Sequence, residues 1–205
     1  MTKKITRMKK PINSIWLETI KVVSLLVLVM VAMNWGYLSK QVSAWLAYDV
    51  VNQQTSQESV IDGQPNRLAI PSLNLNVPLV YVNGTDEVTV QKGLESGVVH
   101  YLNTAMPGEY GNAYYFGHSS DYVFKKGKYK TVFAILPKIE VGAKIYITDA
   151  EGKQFLYLVK EGKVVEAKDV SVLSQGNRTK RLLTLQTSWP LGTALKRYVV
   201  VAEIE

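Results

Sequence analysis

The chain contains no cysteine and only two histidines among its 205 residues. Without cysteine, it has no disulfide scaffold, no cysteine-ligated zinc site and no cysteine nucleophile. Hydrophobic side chains make up 47% of the sequence and charged ones 20%, a balance that excludes a disordered polypeptide. The length allows one good-sized domain with an appendage but not two large domains.

A chain-wide positive charge is also missing, although the formal net charge is +7. Residues 1–21 hold six basic residues against Glu18, a balance of +5, so residues 22–205 carry only +2. The basicity therefore belongs to one end of the chain and not to the surface of a folded domain. We expect no nucleic acid partner.

The basic end precedes a long apolar stretch. The 18 residues from Val22 to Ser39 carry no charge, and as a helix they would span about 27 Å, close to the hydrocarbon thickness of a bilayer. We predict a basic cytoplasmic tail over 1–14 and one transmembrane anchor over 15–46, with the rest of the chain outside the cell membrane. A signal peptide cleaved near Ala44 and a buried core helix are the alternatives.

A polar linker and a β-rich domain are predicted after the anchor. Residues 47–66 are dominated by Gln, Ser, Asn and Asp, whereas from Arg67 onward short apolar runs alternate with turn residues. About eight such runs lie in 67–205. They predict an all-β fold, a closed β-barrel with short helical insertions.

Some local features of this domain are also predictable. Asp86 is a helix cap for a helix over 87–95, and a weaker helix or turn is expected within 122–136. Two β-hairpin turns are expected, one within Asp149–Gly152 and one at Glu161-Gly162.

Two predicted strand ends offer candidate catalytic side chains. His118 follows the apolar run 112–117, so a rigid strand would present an imidazole at the edge of a loop. Ser188 follows the apolar run 182–187, and Arg197 begins the last strand. Each feature is weak alone, because loop serines and strand-edge arginines are usually solvated.

In combination, these residues resemble the signature of the sortase transpeptidases. The stretch Thr184-Leu185-Gln186-Thr187-Ser188 is similar to T-L-x-T-C with serine in place of cysteine, and Arg197 and the upstream Gly117-His118 occupy the family's positions. Ile70-Pro71, Gly84-Thr85-Asp86 and the run GVVHYLNTAMPG over 97–108 match as well. The resemblance covers essentially 67–205 and implies a sortase-like catalytic barrel behind the membrane anchor.

The resemblance implies a mechanism. In the family, a cysteine thiolate attacks a carbonyl in an LPxTG-like sorting signal of a secreted or surface protein, and an amine from a cell-wall precursor or a pilin resolves the acyl-enzyme. By this resemblance the catalytic positions are Ser188 as nucleophile, His118 as general acid and Arg197 as donor to the carbonyl or oxyanion. No cofactor is implied, and the single acidic residue within 168–180 gives no indication of a calcium site.

The resemblance also implies a groove for an extended apolar peptide. The aliphatic candidates for its lining fit a barrel core equally well. The expected substrate-binding residues are His100, Val170, Val172, Leu173, Leu185, Thr187 and Trp189.

Serine at the nucleophile position changes the expected chemistry. A neighbouring imidazolium and guanidinium can ionise a thiol, whose free pKa is about 8.5, but they do not ionise a hydroxyl. We therefore expect the chain with Ser188 to be inactive. It is either a Cys→Ser form of an ordinary transpeptidase, which the presence of His118 and Arg197 favours, or a naturally non-catalytic sorting-signal receptor. A membrane-anchored serine hydrolase is a minor alternative, since no G-x-S-x-G or S-x-x-K pattern surrounds Ser188.

Overall fold

The computed structural model describes residues 14–33, 35, 64–120, 128–176 and 179–205. The chain divides into two compact units, Met1–Ser39 and Lys40–Glu205. Most of the predicted linker lies outside the described residues, as do residues 36–46 of the predicted anchor.

The first unit contains helix α1, Ser14–Met33. The Lys21 ammonium lies 2.7 Å from a Glu18 carboxylate oxygen, three residues away on one exposed face, a pairing that stabilises a helix only slightly. The aliphatic side chains of its second half are exposed on every side of the helix. Among the described residues, no helix combines the length and the apolar character needed to cross a membrane.

The second unit is a closed barrel of eight strands, which confirms the predicted all-β barrel. Around the barrel the strands follow the order β1-β2-β3-β4-β7-β8-β6-β5. Their bounds are β1 Arg67–Ile70, β2 Leu75–Tyr81, β3 Val98–His100, β4 Gly111–Phe116, β5 Lys144–Thr148, β6 Gln154–Glu166, β7 Arg181–Trp189 and β8 Lys196–Ile204.

Two of the pairings are parallel, β2 with β3 and β4 with β7, and each requires a crossover connection. Helix α2, Glu87–Ser96, forms the first crossover, which confirms the predicted helix. Asp86 caps it by accepting a hydrogen bond from the Thr89 backbone N–H at 2.9 Å. The bonds from Thr89, backbone first, hold the pKa of the Asp86 carboxyl below its ordinary value.

The barrel interior is filled by alternate side chains of each strand. Fully buried aliphatic and aromatic residues from at least five strands meet there, and Phe133 and Leu136 of the β4–β5 connection pack against them. The predicted helix or turn within 122–136 is a turn where it is described, followed by a 3-10 turn at Leu136–Lys138. The strand members include Leu68, Ile145, Ile147, Tyr157, Leu183 and Leu185.

One of the two predicted hairpin turns is confirmed and the other is wrong. Between β5 and β6 the Asp149 N–H donates to the Lys153 carbonyl at 3.0 Å, and Gly152 takes a φ of +83°. At Glu161-Gly162, however, β6 continues through all 13 residues, with a register shift against β8. Gly162 lies against the Tyr198 ring, where any Cβ would collide, so this glycine permits close packing and does not form a turn.

Candidate active site

Strand register places His118, Ser188 and Arg197 in one row. In the parallel pair β4–β7, Phe116 lies opposite Gln186, and the Gly117 N–H extends the ladder to the Gln186 carbonyl at 3.1 Å. His118 therefore comes level with Ser188. On the other side of β7, Ser188 is the direct partner of Arg197 in the antiparallel pair with β8. Ser188 and Arg197 thus lie side by side on β7 and β8. His118 lies on the other side of β7, two residues beyond the end of β4.

Thr187 fixes the β4 end of this row. Its hydroxyl is buried and donates to the Gly117 carbonyl at 3.0 Å, immediately before His118. The His118 carbonyl in turn accepts from the Phe133 N–H at 2.9 Å. The main chain around His118 is therefore held by the Thr187 hydroxyl at Gly117 and by the Phe133 N–H at His118 itself.

The pleat of β7 separates predicted site residues into two groups. Successive side chains point to opposite faces of a strand, so Gln186 and Ser188 share the outer face, and Leu185 and Thr187 point inward. Leu185 is 0% exposed and belongs to the barrel core. Leu185 does not line the cavity, contrary to expectation, and Thr187 is buried as well.

Arg197 is held by the loop that joins β7 to β8. Its Nη1 donates to the carbonyls of Ala194 and Lys196, both at 3.0 Å. A guanidinium has five N–H donors, so further donors stay available to a ligand. Arg197 also lines the cavity described next, and it connects the row to that cavity.

A cavity of about 370 Å³ lies beside the row on the outer face of the barrel. Its floor consists of Tyr114 and Phe116 from β4 and Gln186 from β7, and one wall is the 3-10 turn Val170–Leu173. The predicted groove residues Val170, Val172 and Leu173 all line it, and Val170 is 73% exposed. The opposite wall comes from the β2–α2 loop and from Tyr101 and Leu102.

Two amide side chains, those of Gln175 and the buried Asn112, attach the Val170–Leu173 wall to the barrel. Gln175 Oε1 accepts from the backbone N–H groups of Ala105 and Asn112 at 3.1 and 3.0 Å, and its Nε2 donates to the carbonyls of Asn112 and Leu173. Asn112 Nδ2 donates to the Val172 carbonyl at 3.0 Å, and Asn112 Oδ1 accepts from Thr184. Asp169 begins the wall, and its pKa is lowered by hydrogen bonds from the side chain and backbone of Ser171.

The side chains of His100 and Trp189 pack against aromatic rings. The His100 ring packs between Tyr81 and Tyr115, with centroid distances of 5.5 and 5.0 Å, although His100 contributes to the cavity lining. Its Nε2 lies 3.0 Å from both the Ala105 carbonyl and the Thr104 hydroxyl, and burial lowers its pKa. Trp189 packs against Tyr198 at 5.9 Å.

Sequence reasoning missed Tyr114, Gln186, Asn112 and Gln175. The alternation of β4 offered a signal for two of them, because Asn112 and Tyr114 lie four and two residues ahead of Phe116 on the face that ends at His118. Gln186 fills the variable position of the T-L-x-T-C pattern, and Gln175 lies in a polar loop with no periodicity. For those two residues the sequence holds no usable signal.

Comparisons with known proteins agree on one family. The family model of the Sortase domain matches residues 68–205. Sortase D of Bacillus subtilis (strain 168) is 30% identical over 136 residues, which make up 65% of this chain and 60% of that protein. The chain thus spans about three fifths of the length of this curated relative.

Solved structures give the same result. The sortase D5 transpeptidase of Clostridium perfringens has a TM-score of 0.55 at 29% identity, covering 68% of this chain and 77% of its own. Sortase C-1 from Actinomyces oris has a TM-score of 0.58 at 26% identity, covering 79% and 85%. The closed eight-stranded barrel is like that of the sortases. The chain belongs to the sortase family.

Proposed function

We propose that this chain is a membrane-anchored protein of the sortase transpeptidase type that binds an LPxTG-like sorting signal, and that Ser188 leaves it without turnover. The observation that carries the proposal is the row formed by Ser188 on β7, its partner Arg197 on β8 and His118 just beyond the end of β4, beside a peptide-sized cavity. The partners are then a sorting-signal peptide and an amine acceptor, either a cell-wall precursor or a pilin.

The row has the parts that acyl transfer needs apart from the thiolate. With cysteine at position 188, sulfur would attack the peptide carbonyl, the carbon–nitrogen bond would break, and His118 would protonate the departing amine. Arg197 would donate to the oxyanion from its fixed place beside position 188. An incoming amine would then attack the thioester, give its proton to His118 and release the thiol.

Serine stops this sequence at its first step. A hydroxyl becomes a nucleophile only when a base takes its proton, and that base must itself be oriented by a third group. The peptide groove does not depend on the sulfur, because its lining comes from β4, β7 and the Val170–Leu173 wall. Binding without cleavage is the expected consequence.

The apolar cavity lining supports an extended apolar peptide as ligand. Val170, Val172 and Leu173 form one side, and Phe116 lies on the floor. The Arg197 donors at the end of the cavity match a peptide carbonyl. An extended peptide in this position would bring one of its carbonyls to Ser188.

The N-terminal unit supports attachment to the cell membrane, with the tail in the cytoplasm and the barrel outside. The uncharged run from Val22 to Ser39 follows six basic residues, which favours this orientation.

Calorimetry of the full chain in detergent with LPxTG peptides tests this proposal. The expected result is saturable binding of the LPxTG peptide, weaker binding of a scrambled peptide, and no thioester, ester or ligated product in mass spectrometry. Equal binding of the two peptides would refute the groove. Cleavage by the Ser188 chain, together with labelling of Ser188 by a serine-reactive probe, would instead favour a serine hydrolase.

A further inference from the structure

The floor of the peptide cavity contains a hydrogen-bonded pair that the transpeptidase chemistry does not use. The Tyr114 hydroxyl donates to Oε1 of Gln186, across the parallel β4–β7 pair. Both residues line the cavity, and Gln186 is half-buried on the same face of β7 as Ser188. Two of the three floor residues form this pair, so it affects which ligand fits.

Tyr114 is a rigid partner in this pair. Its side chain is 1% exposed, and its ring meets that of Tyr101 edge-on at 5.9 Å. Its backbone carbonyl accepts from the Tyr101 N–H at 2.8 Å, and its N–H donates to the Thr104 hydroxyl. Burial raises the pKa of the Tyr114 hydroxyl well above its ordinary value, although the charge of Arg197 opposes this. The hydroxyl therefore remains a donor at every physiological pH.

This donation determines which end of the Gln186 amide is left for a ligand. Oε1 accepts the hydrogen bond from the Tyr114 hydroxyl, and the Nε2 amide nitrogen keeps its two N–H donors for a ligand. Within the described part of the chain, no acceptor is bonded to Nε2. The hydrogen bond from the buried phenol thus fixes the orientation of the amide, and the end that faces away from Tyr114 is the donor Nε2.

The spacing of Gln186 and Ser188 matches that of an extended peptide. The two residues lie two apart on one strand face, a separation of about 6.7 Å. Alternate carbonyls of an extended peptide point the same way and have the same spacing. A peptide lying along β7 with its reacting carbonyl at Ser188 thus places a second carbonyl over Gln186.

We infer that Gln186 is a peptide-binding residue whose amide Nε2 binds a main-chain carbonyl of the sorting signal two residues from the reacting one, and that Tyr114 is the positioning residue that turns this amide toward the peptide. The inference rests on the proposed function, because it assumes that the cavity is the peptide groove. It adds the group that fixes the peptide's register relative to Ser188.

Near-isosteric substitutions separate these two roles. Gln186→Glu keeps an acceptor for the Tyr114 hydroxyl but has no donor for the peptide. It should weaken binding of the LPxTG peptide by about 10-fold or more, since a peptide carbonyl then loses its partner and faces a carboxylate. Tyr114→Phe should weaken binding by about 3- to 10-fold by releasing the amide. Gln154→Glu is the matched control for the charge change, because Gln154 is exposed on β6 outside the cavity lining, and it should bind like the parent chain.

A double-mutant cycle and a peptide isostere complete the experiment. If Tyr114 acts through Gln186, then Tyr114→Phe should have no further effect, within about 2-fold, in the Gln186→Glu background. Replacing the amide two residues before or two residues after the scissile bond by an (E)-alkene should, for one of the two peptides, weaken binding to the parent chain but not to the Gln186→Glu variant. Titration calorimetry gives the affinities, and thermal melting confirms that each variant is folded.

The outcomes distinguish this inference from the proposed function. Parent-like affinity of a folded Gln186→Glu variant would overturn the inference and leave the groove in place. Additive losses in the double mutant would overturn the role of Tyr114. Failure of the parent chain itself to bind the LPxTG peptide would overturn both the groove and the inference.

Discussion

Ser188 and Arg197 are direct partners in the antiparallel pairing of β7 with β8, and the loop between them supplies the Ala194 carbonyl that holds the guanidinium. One short hairpin therefore places Arg197 beside position 188, without help from distant parts of the chain. The third member of the row, His118, comes from the other side of β7 through a separate, parallel pairing.

This hairpin predicts that Arg197 is needed for peptide binding and that lysine cannot replace it fully. Arg197→Ala should weaken binding of the LPxTG peptide by about 10-fold or more, the value of a hydrogen bond to a charged group. The affinity of Arg197→Lys should lie between those of the parent chain and Arg197→Ala. An ammonium lacks the planar geometry with which the guanidinium bonds the Ala194 and Lys196 carbonyls and a ligand together. Titration calorimetry measures both, with Lys196→Ala as the control on the neighbouring exposed cation. An Arg197→Ala variant with unchanged affinity would contradict this role.

A second prediction concerns the wall of the cavity. Gln175→Ala removes four hydrogen bonds that join the Val170–Leu173 segment, the start of β4 and the loop at Ala105. Amide hydrogen exchange should then speed up by about 10-fold or more across 169–175, since local opening governs exchange there. Gln175→Glu keeps the two acceptor bonds but loses the two donated ones, so its exchange should be intermediate. Exchange equal to that of the parent chain in both variants would show that the amide does not hold the wall.

A third prediction concerns pH. Burial holds the pKa of His100 below 6.5, although the bond to the Ala105 carbonyl and the Glu109 charge oppose this. Above pH 6.5 the ring is neutral in both the folded and the unfolded chain, and its contribution to stability is complete. As the pH falls below 6.5, the unfolded chain binds a proton that the folded chain does not, so the free energy of unfolding decreases.

Denaturant titration of the full chain between about pH 7.5 and pH 5.5 measures this slope, whose limit for one group is about 1.4 kcal/mol per pH unit. His100→Gln should reduce the slope, because it removes the titrating ring. A slope unaffected by His100→Gln would place the titrating group elsewhere.

The fold and the catalytic row were accessible from the sequence for different reasons. Alternating apolar runs predicted the closed barrel, and turn residues predicted the hairpin turn within Asp149–Gly152. Both strand periodicity and turn residues are local signals. His118, Ser188 and Arg197 came from a sequence pattern whose spacing encodes strand pairing. Their adjacency follows once Phe116 is level with Gln186.

Other features depend on contacts that no local pattern contains. Leucine suits both the barrel core and an apolar groove, and only the alternation of side chains along β7 shows that Leu185 belongs to the core. Glu161-Gly162 is typical of a turn, yet Gly162 lies within β6, where the absence of a side chain leaves room for Tyr198 of the neighbouring strand. Gln175 reaches residues more than 60 positions away, a relationship that tertiary structure alone creates.

The central claim is that this domain is built for transpeptidation and lacks only the nucleophilic thiol at position 188. The Ser188→Cys variant tests this claim most directly. Mass spectrometry would follow an LPxTG peptide and an amine acceptor with the parent chain, with Ser188→Cys, and with His118→Ala in the Ser188→Cys background. The account predicts a thioester and a ligated product from Ser188→Cys, at a rate on the order of 10³-fold above the parent or more, and a return to near baseline without His118. A folded Ser188→Cys variant that binds the peptide but forms neither product would contradict it and identify a receptor built on this barrel.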